Sequence, residues 1–308
     1  MERGADRGAL RAVKPHPRAS KRSGARLTAI PAALCDAPCI VRQGQLSRQR
    51  PAWSHQGGLF VDLFGGAGGV ARRVCLRGCN SIVLDLDYGF DILNPAHFAG
   101  VICLARSGKL KGVMIAQPCE SFSKARRAPQ WSRMPHQLRS AEFVMGLPGL
   151  TGNDLKAVQR GNDILAAVIC LVRILIQLHI PFAIENPRSS YLWETPSIKN
   201  LIARRDVICI DCHQCQFGCA WMKPTKFLLS EGMAGPHLSK TCVQVKGKCS
   251  RTHDKHFVLS GFGEDGAWRT TQAKVYSPQL CAAVVNTFCD HWLQEHIGIS
   301  CKAASSRP

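Results

Sequence analysis

The sequence lacks an apolar stretch long enough to cross a membrane, and no apolar segment opens the chain. The longest candidate, residues 164–178, falls short of the roughly 20 residues that a helical span needs, and it contains Arg173. Residues 1–20 carry charges without the apolar core of a secretory signal. We therefore expect an intracellular protein without membrane association, in the nucleus if the source is eukaryotic and in the cytoplasm otherwise.

Acidic residues are scarce. Asp and Glu number 21 against 40 Lys and Arg, which gives a net charge of +19. Such an excess favours polyanionic partners, nucleic acid first. Residues 1–56 contain 11 of these cations and hold no apolar period, so we predict a flexible basic arm. The arm either contacts phosphates nonspecifically, carries a nuclear or organelle address, or is only a solvated tail.

Disulfides are not needed to hold a chain of this size together. With 308 residues, 45% of them hydrophobic, the chain can bury a substantial core in one or two domains. The 16 cysteines therefore do not form the framework of a small secreted scaffold. We expect free or metal-bound thiols in a reducing compartment.

The globular part alternates short apolar runs with helical segments. Strands are predicted near residues 59–64, 81–86, 111–116 and 182–184, and helices over 70–76 and 153–178. This order predicts an α/β fold with a mainly parallel sheet. Ligands of such sheets bind beyond the carboxyl ends of the strands. A polar motif follows each predicted strand, so the carboxyl ends of these strands form the candidate site.

The first motif is Asp-Leu-Phe-Gly-Gly-Ala-Gly-Gly at residues 62–69. Glycines after a strand allow a ligand to approach the backbone closely. Gly66 and Gly68 fit the start of a dinucleotide fingerprint whose third position is Ala71. Asp62, however, would repel a pyrophosphate and suits a cationic ligand. Taken alone, the turn is equally well explained as structural.

Two further motifs carry a nucleophile and an acid. In Gln-Pro-Cys-Glu-Ser-Phe-Ser at residues 117–123, Cys119 stands at a strand exit, and the cations that follow it are expected to lower its pKa. In Glu-Asn-Pro at residues 185–187, Glu185 can share a proton with a reacting group. The alternatives are a buried structural Cys119 and a turn that leaves Glu185 in solvent.

In this order and spacing, the three motifs resemble those of the cytosine-5 DNA methyltransferases. The resemblance covers residues 57–196 well and continues more weakly to the C-terminus, where 275–288 is similar to the closing helix of the family. It implies a Rossmann-like fold that uses S-adenosylmethionine, with helices on both faces of the sheet. It also implies cofactor contacts from Asp62, Phe64, Gly65, Gly66, Gly68, Asp85 (or Asp87) and Asp91.

The resemblance also implies the chemistry. Cys119 matches the nucleophile that adds to C6 of cytosine, and Glu185 matches the acid at N3 of the ring. To reach these atoms, the base must leave the duplex stack. The segment after the nucleophile is similar to a loop that closes on DNA. The resemblance implies that this segment and a later basic motif, Cys-Ala-Trp-Met-Lys-Pro-Thr at residues 219–225, contact nucleic acid. The residues named for these contacts are Ser121, Ser123, Lys124, Arg126, Arg127 and Lys223.

The sequence departs from the family in its substrate-binding motifs. Glu120 stands where the family has Gln, Pro187 stands where it has Val, and the arginines of the basic motif are absent. These changes leave open a catalytically idle nucleic-acid-binding relic and an RNA cytosine methyltransferase. We divide the chain into the arm (1–56), a catalytic core (57–227), a small recognition insert (228–271) and a closing helix with tail (272–308). We expect a monomer.

The insert contains a candidate zinc site. Cys242, Cys249, His253 and His256 supply four ligands within 15 residues, and Cys209, Cys212, His213 and Cys215 lie upstream. Because the insert has few apolar residues, a tetrahedral zinc ion would stabilise it. Ordinary thiols and surface histidines are the alternative, since the spacing is not that of a standard zinc finger.

Overall fold

The computed structural model describes residues 40–41, 58–126, 135–233, 236–264 and 266–305, with side chains from residue 58 to 293 within these ranges. Apart from 40–41, the predicted basic arm lies outside the described residues, and so does Arg127. None of the helices in these ranges combines the length and the apolar character that crossing a bilayer requires.

Seven strands and five α-helices are formed by the described residues. The strands are β1 (Ile40–Val41), β2 (Leu59–Leu63), β3 (Asn80–Leu84), β4 (Leu110–Ile115), β5 (Phe182–Pro187), β6 (Val207–His213) and β7 (Pro224–Ser230). The helices are α1 (Gly69–Leu76), α2 (Pro95–Arg106), α3 (Gly152–Gln177), α4 (Pro196–Ile202) and α5 (Pro278–Ser305). Strand β7 thus continues past the boundary predicted at residue 227.

The strands form one sheet in the order β1-β3-β2-β4-β5-β7-β6. The central strands β3, β2, β4 and β5 are parallel to one another. Parallel neighbours need a crossover connection, and a helix lies between each two of these strands that follow one another in the chain. The pairs β1–β3, β5–β7 and β6–β7 are antiparallel. The fold is therefore α/β, as predicted. Its sheet, however, is mixed rather than mainly parallel, so that part of the prediction is not confirmed. Residues 214–223 join β6 directly to β7 without a crossover helix, which makes this pair antiparallel.

Helices cover both faces of the sheet. Along β2 the side chains alternate, so that Val61 and Leu63 join one core cluster and Phe60 joins the other. The first cluster contains the apolar faces of α2, α3 and α4, and the second those of α1 and α5. Because both faces are covered, the ends of the strands are the accessible edges of the sheet.

Candidate functional site

A cavity of about 550 Å³ lies at the carboxyl ends of the parallel strands. Its wall is formed by the glycine turn after β2, the residues after β3, the Pro-Cys segment after β4 and the end of β5. One side of α3 and residues 274–276 complete the wall. The three sequence motifs therefore meet at one place, although 123 positions separate Asp62 from Glu185 (185 − 62).

The glycine turn has an unusual backbone. Phe64 adopts a positive φ of 59°, which a bulky residue rarely does, and Gly66 and Gly68 have φ values of 48° and 67°. At Gly65, an added Cβ would lie 2.6 Å from Cγ of Asp62. At Gly66 it would meet nothing within 4 Å. The turn therefore packs tightly on Asp62 and leaves open space beside Gly66, as a backbone that cradles a ligand requires.

Asp62 and Asp85 accept hydrogen bonds from backbone amides of this turn and of the helix that follows it. Oδ2 of Asp62 accepts a hydrogen bond from the Ala71 amide at 3.0 Å. Burial raises the pKa of Asp62 to about 7; the Ala71 amide opposes this shift and the charge of Asp85 adds to it. Asp85 accepts hydrogen bonds from the amides of Gly66 at 2.9 Å and of Asp87 at 3.1 Å. Both Asp85 and Asp87 line the cavity.

Asp91 is held by a cation from α3. Arg160 donates to both of its carboxylate oxygens at 3.2 Å, and Oδ1 also accepts from the Leu93 amide at 3.0 Å. Asp91 and Arg160 both line the cavity. Sequence reasoning missed Arg160, which brings a positive charge to a wall that is otherwise acidic at this end.

Cys119 is a partly buried thiol in this wall. Burial raises its pKa to about 11; the charges of Glu120 and Glu185 add to this shift, and Lys223 opposes it. The expectation that the flanking cations lower this pKa is therefore wrong. Lys124 pairs instead with Glu194, and Arg126 donates to the His136 carbonyl and faces Asp154.

Glu185 is a buried carboxyl that is only half satisfied. The Tyr276 hydroxyl donates to its Oε2 at 2.5 Å, whereas its Oε1 has no hydrogen-bond partner among the described residues. Burial raises the pKa of Glu185, and Lys223 and the Tyr276 hydroxyl oppose this shift. Glu185 therefore holds a proton at higher pH than an ordinary glutamate. Its Oε1 can accept a hydrogen bond from a ligand, or donate one when it carries the proton.

Asn186 connects the Pro-Cys segment to the Glu-Asn-Pro segment. Its side-chain amide donates to the Gln117 carbonyl at 2.8 Å, so the Pro-Cys segment is fixed to the end of β5. Within the part of the chain that the structure describes, Oδ1 of Asn186 and both amide atoms of Gln117 are buried without a partner. Since unpaired buried polar groups are costly, these atoms mark a surface that a polar ligand would satisfy.

The basic segment after Cys119 is partly structural. Arg139 is only 1% exposed, and its guanidinium donates to Ser121, Val144, Val158 and Asn162 while packing on the Phe122 ring. Ser121 is occupied as an acceptor in this network, and the Ser123 hydroxyl accepts from the Ala125 amide. Arg139 therefore anchors this segment inside the protein and is not free to contact phosphate.

Two lysines reach the cavity from the C-terminal half. Lys223, predicted to contact nucleic acid, lines the cavity and donates to the Ala273 carbonyl at 2.6 Å, and its charge acts on both Cys119 and Glu185. Lys274 forms an ion pair with Glu120 at 3.6 Å, and both of these side chains are mostly exposed. This pair connects the Pro-Cys segment to the stretch that carries Tyr276.

A second group of ligand-type side chains lies outside this cavity. The ligand atoms of Cys215, Cys242, Cys249 and His256 are all within 4.8 Å of one another, an arrangement compatible with zinc. His253, one of the four predicted ligands, is exposed and does not belong to this group. Cys215, from the turn that follows β6, takes its place.

Comparisons with known proteins add little. No family model matches the chain, and no curated protein matches it. Among solved structures, a methyltransferase of Entamoeba histolytica, EhMeth, aligns with 78% of this chain and 98% of its own, with a TM-score of 0.32 and 13% identity.

Proposed function

We propose that this chain is an S-adenosylmethionine-dependent methyltransferase that methylates C5 of cytosine in DNA through a covalent adduct with Cys119. The observation that carries the proposal is the single cavity that joins the Asp62–Gly68 turn to the pair of Cys119 and Glu185. Its volume falls within the range of about 300–1,000 Å³ that is typical of ligand pockets.

The residues of the glycine turn fit the cofactor. S-adenosylmethionine carries a sulfonium and an ammonium group, both cationic, and the carboxyl groups of Asp62, Asp85 and Asp87 provide an acidic wall. The open space beside Gly66 gives the ligand access to the backbone. A pyrophosphate ligand would meet repulsion from Asp85, from Asp87 and from the ionised fraction of Asp62, a fraction that a cationic ligand would increase. When bound, S-adenosylmethionine supplies an electrophilic methyl group.

The residues at the other end of the cavity activate the base. The Cys119 thiolate adds to C6 of cytosine, while the protonated Glu185 donates its proton to N3. Electron density then moves to C5, which becomes nucleophilic and would take the methyl group as the bond from this group to the sulfonium sulfur breaks, leaving S-adenosylhomocysteine. Loss of the C5 proton to water restores the double bond and expels the thiolate, and N3 returns its proton to Glu185. The unpaired Oε1 of Glu185 and the amide of Gln117 are available to hold the ring.

DNA is the proposed partner because exposed cations are numerous on the insert. Several cations of the predicted basic loop are engaged within the protein, but the insert displays a further set. These are Lys240, Lys246, Lys248 and Lys255, all exposed. Cations of this kind contact phosphates, and binding should weaken steeply with salt as counterions are released.

The proposal is tested by methyl transfer. Incubation with tritium-labelled S-adenosylmethionine and mixed-sequence duplex DNA should label the DNA, and bisulfite sequencing should place the methyl group on C5 of cytosine. Label that enters RNA of the same sequence but not DNA would replace the proposed substrate with RNA. Absence of label from both, with cofactor and DNA still bound, would favour the catalytically idle relic.

Gly66→Leu should weaken binding of S-adenosylhomocysteine by about tenfold or more, equal to about 1.4 kcal/mol. The leucine side chain would enter the open space beside the turn, where nothing now lies within 4 Å. Isothermal calorimetry measures the effect. Gly108→Leu is the matched control, because Gly108 also has a positive φ and open space but does not line the cavity. Equal losses in both variants would contradict the placement of the cofactor.

A further inference from the structure

Four ligand-type side chains converge where the insert meets the end of β6. Cys215 belongs to the short turn after β6, and Cys242, Cys249 and His256 come from the insert. Sγ of Cys242 lies 3.8 Å from Sγ of Cys249 and 3.7 Å from Nε2 of His256. Tetrahedral zinc with its usual bond lengths separates two sulfurs by about 3.8 Å and a sulfur from an imidazole nitrogen by about 3.6 Å. The observed spacing therefore fits one ion at the centre of the group.

The surroundings of these atoms fit thiolate ligands. The amides of Ser250 and Arg251 point at Sγ of Cys242 and of Cys249, at 3.4 and 3.5 Å. Such N–H···S contacts stabilise negative sulfur and orient it toward a metal. At His256, Nε2 faces the cysteines, and Nδ1 is 3.4 Å from the Gln244 amide group. Zinc at Nε2 requires the ring proton on Nδ1, which would donate to the side-chain oxygen of Gln244 once that amide is turned over.

The cluster is positioned by contacts that do not involve a metal. The His213 amide donates to the Lys240 carbonyl, and the His213 ring accepts from the Cys242 amide at 2.8 Å. Arg251 donates to the Cys215 carbonyl at 2.6 Å. These bonds hold the insert against the turn that carries Cys215. The ligand-type side chains from the two segments are therefore close together before any metal binds.

The middle of the insert, residues 236–264, has little else to stabilise it. Among residues 236–264, only Leu238, Cys242 and Cys249 are buried, and two of these three are members of the cluster. Strand-like backbone pairing within these residues is limited to isolated bridges such as Val245↔Lys248 and Lys248↔Lys255. A segment with so few buried apolar groups needs another source of folding free energy, which a structural metal supplies.

We propose that Cys215, Cys242, Cys249 and His256 bind one structural zinc ion that joins the insert to the end of β6. The three cysteines are buried, so the four protein ligands close the coordination sphere and leave no position for a reacting water, as in structural rather than catalytic zinc sites. On binding, the thiols lose their protons to solvent, and no redox step is involved.

Metal content tests the site without any substrate, so its failure is distinct from failure of methyl transfer. Protein purified without chelators should contain one zinc per chain by mass spectrometry of the metal. Replacement by cobalt should give the ligand-field bands of a tetrahedral ion together with thiolate-to-cobalt charge transfer. Removal of the metal by a chelator should accelerate proteolysis within 236–264 by about tenfold or more.

Matched variants identify the ligands. Cys249→Ser and His256→Ala should lose the metal, whereas Cys209→Ser, at an exposed cysteine of β6, and His253→Ala should retain it. Circular dichroism of each variant reports whether the remaining fold is intact. Zinc-free wild-type protein with a Cys242–Cys249 disulfide would overturn the proposal, and so would loss of zinc in His253→Ala but not in His256→Ala.

Discussion

Replacing Cys119 with serine should lower the rate of methyl transfer by about 10⁴-fold or more, as the loss of other catalytic nucleophiles does. A serine hydroxyl is almost never ionised near neutral pH, whereas the thiol, with a pKa of about 11, supplies a small but reactive thiolate fraction. The decisive measurement uses duplex DNA that contains 5-fluorocytosine. Fluorine cannot leave C5 as the proton does, so the wild-type enzyme should stay covalently attached to this DNA.

The adduct should require S-adenosylmethionine and should be visible as a band that survives denaturing electrophoresis. It should be absent in Cys119→Ser and unchanged in Cys103→Ser, which alters an exposed cysteine of α2. An adduct that persists in Cys119→Ser would identify another cysteine as the nucleophile. A wild-type protein that binds both ligands but forms no adduct would point to the idle relic.

Glu185→Gln should slow methyl transfer by about 10²–10⁴-fold, the usual contribution of a general acid. The change removes the proton donor for N3 and keeps the size of the side chain. Glu120→Gln is the matched control, because it removes a second negative charge that raises the pKa of Cys119. Glu120→Gln should therefore react faster with a small alkylating agent at Cys119, but only Glu185→Gln should lose methylation. Equal activity in the two variants would exclude Glu185 as the acid.

The pH profile separates the acid from the thiol. In the wild type, the protonated fraction of Glu185 falls about tenfold per pH unit above its raised pKa, while the thiolate fraction of Cys119 rises about tenfold per unit up to about 11. The two trends cancel, so kcat/KM should be flat between the two pKa values. Glu185→Gln has no proton to lose, so its kcat/KM should rise with pH over the same range.

Much of the cavity was predictable because parallel strands end at a common edge. Asp62, Asp85, Cys119 and Glu185 each lie at the end of a predicted strand or just after it, and the structure brings all four to one cavity. Their proposed roles remain predictions. The glycines were informative as well, since Gly65 and Gly68 stand where a side chain would clash with Asp62 and Val83.

Long-range contacts were not predictable. The bond from Tyr276 to Glu185 spans 91 positions, and nothing in the local sequence indicates it. Gly161, in the middle of α3, was an overlooked signal: an added Cβ there would lie 2.4 Å from Oγ of Ser121 and 3.1 Å from Nη2 of Arg139. An isolated glycine inside a helix often marks such a close approach.

The cluster of Cys215, Cys242, Cys249 and His256 shows why sequence spacing alone placed His253, rather than Cys215, among the candidate metal ligands. The His253 amide donates to the Cys249 carbonyl at 2.9 Å, and His253 itself has a φ of 62°. This tight turn leaves the His253 ring exposed and brings His256 back toward Cys242. Cys215 completes the group from 27 positions before Cys242 (242 − 215), a contact that depends on the hydrogen bonds between His213 and the insert.

The ion pair of Lys274 and Glu120 makes one edge of the cavity sensitive to salt. Both side chains line the cavity and are 68% and 62% exposed. An exposed pair of this kind contributes about 0.2–1 kcal/mol, which is too little to hold the Pro-Cys segment against residues 274–276 by itself. Higher ionic strength should weaken the pair further, whereas the buried hydrogen bond from Tyr276 to Glu185 should be screened much less.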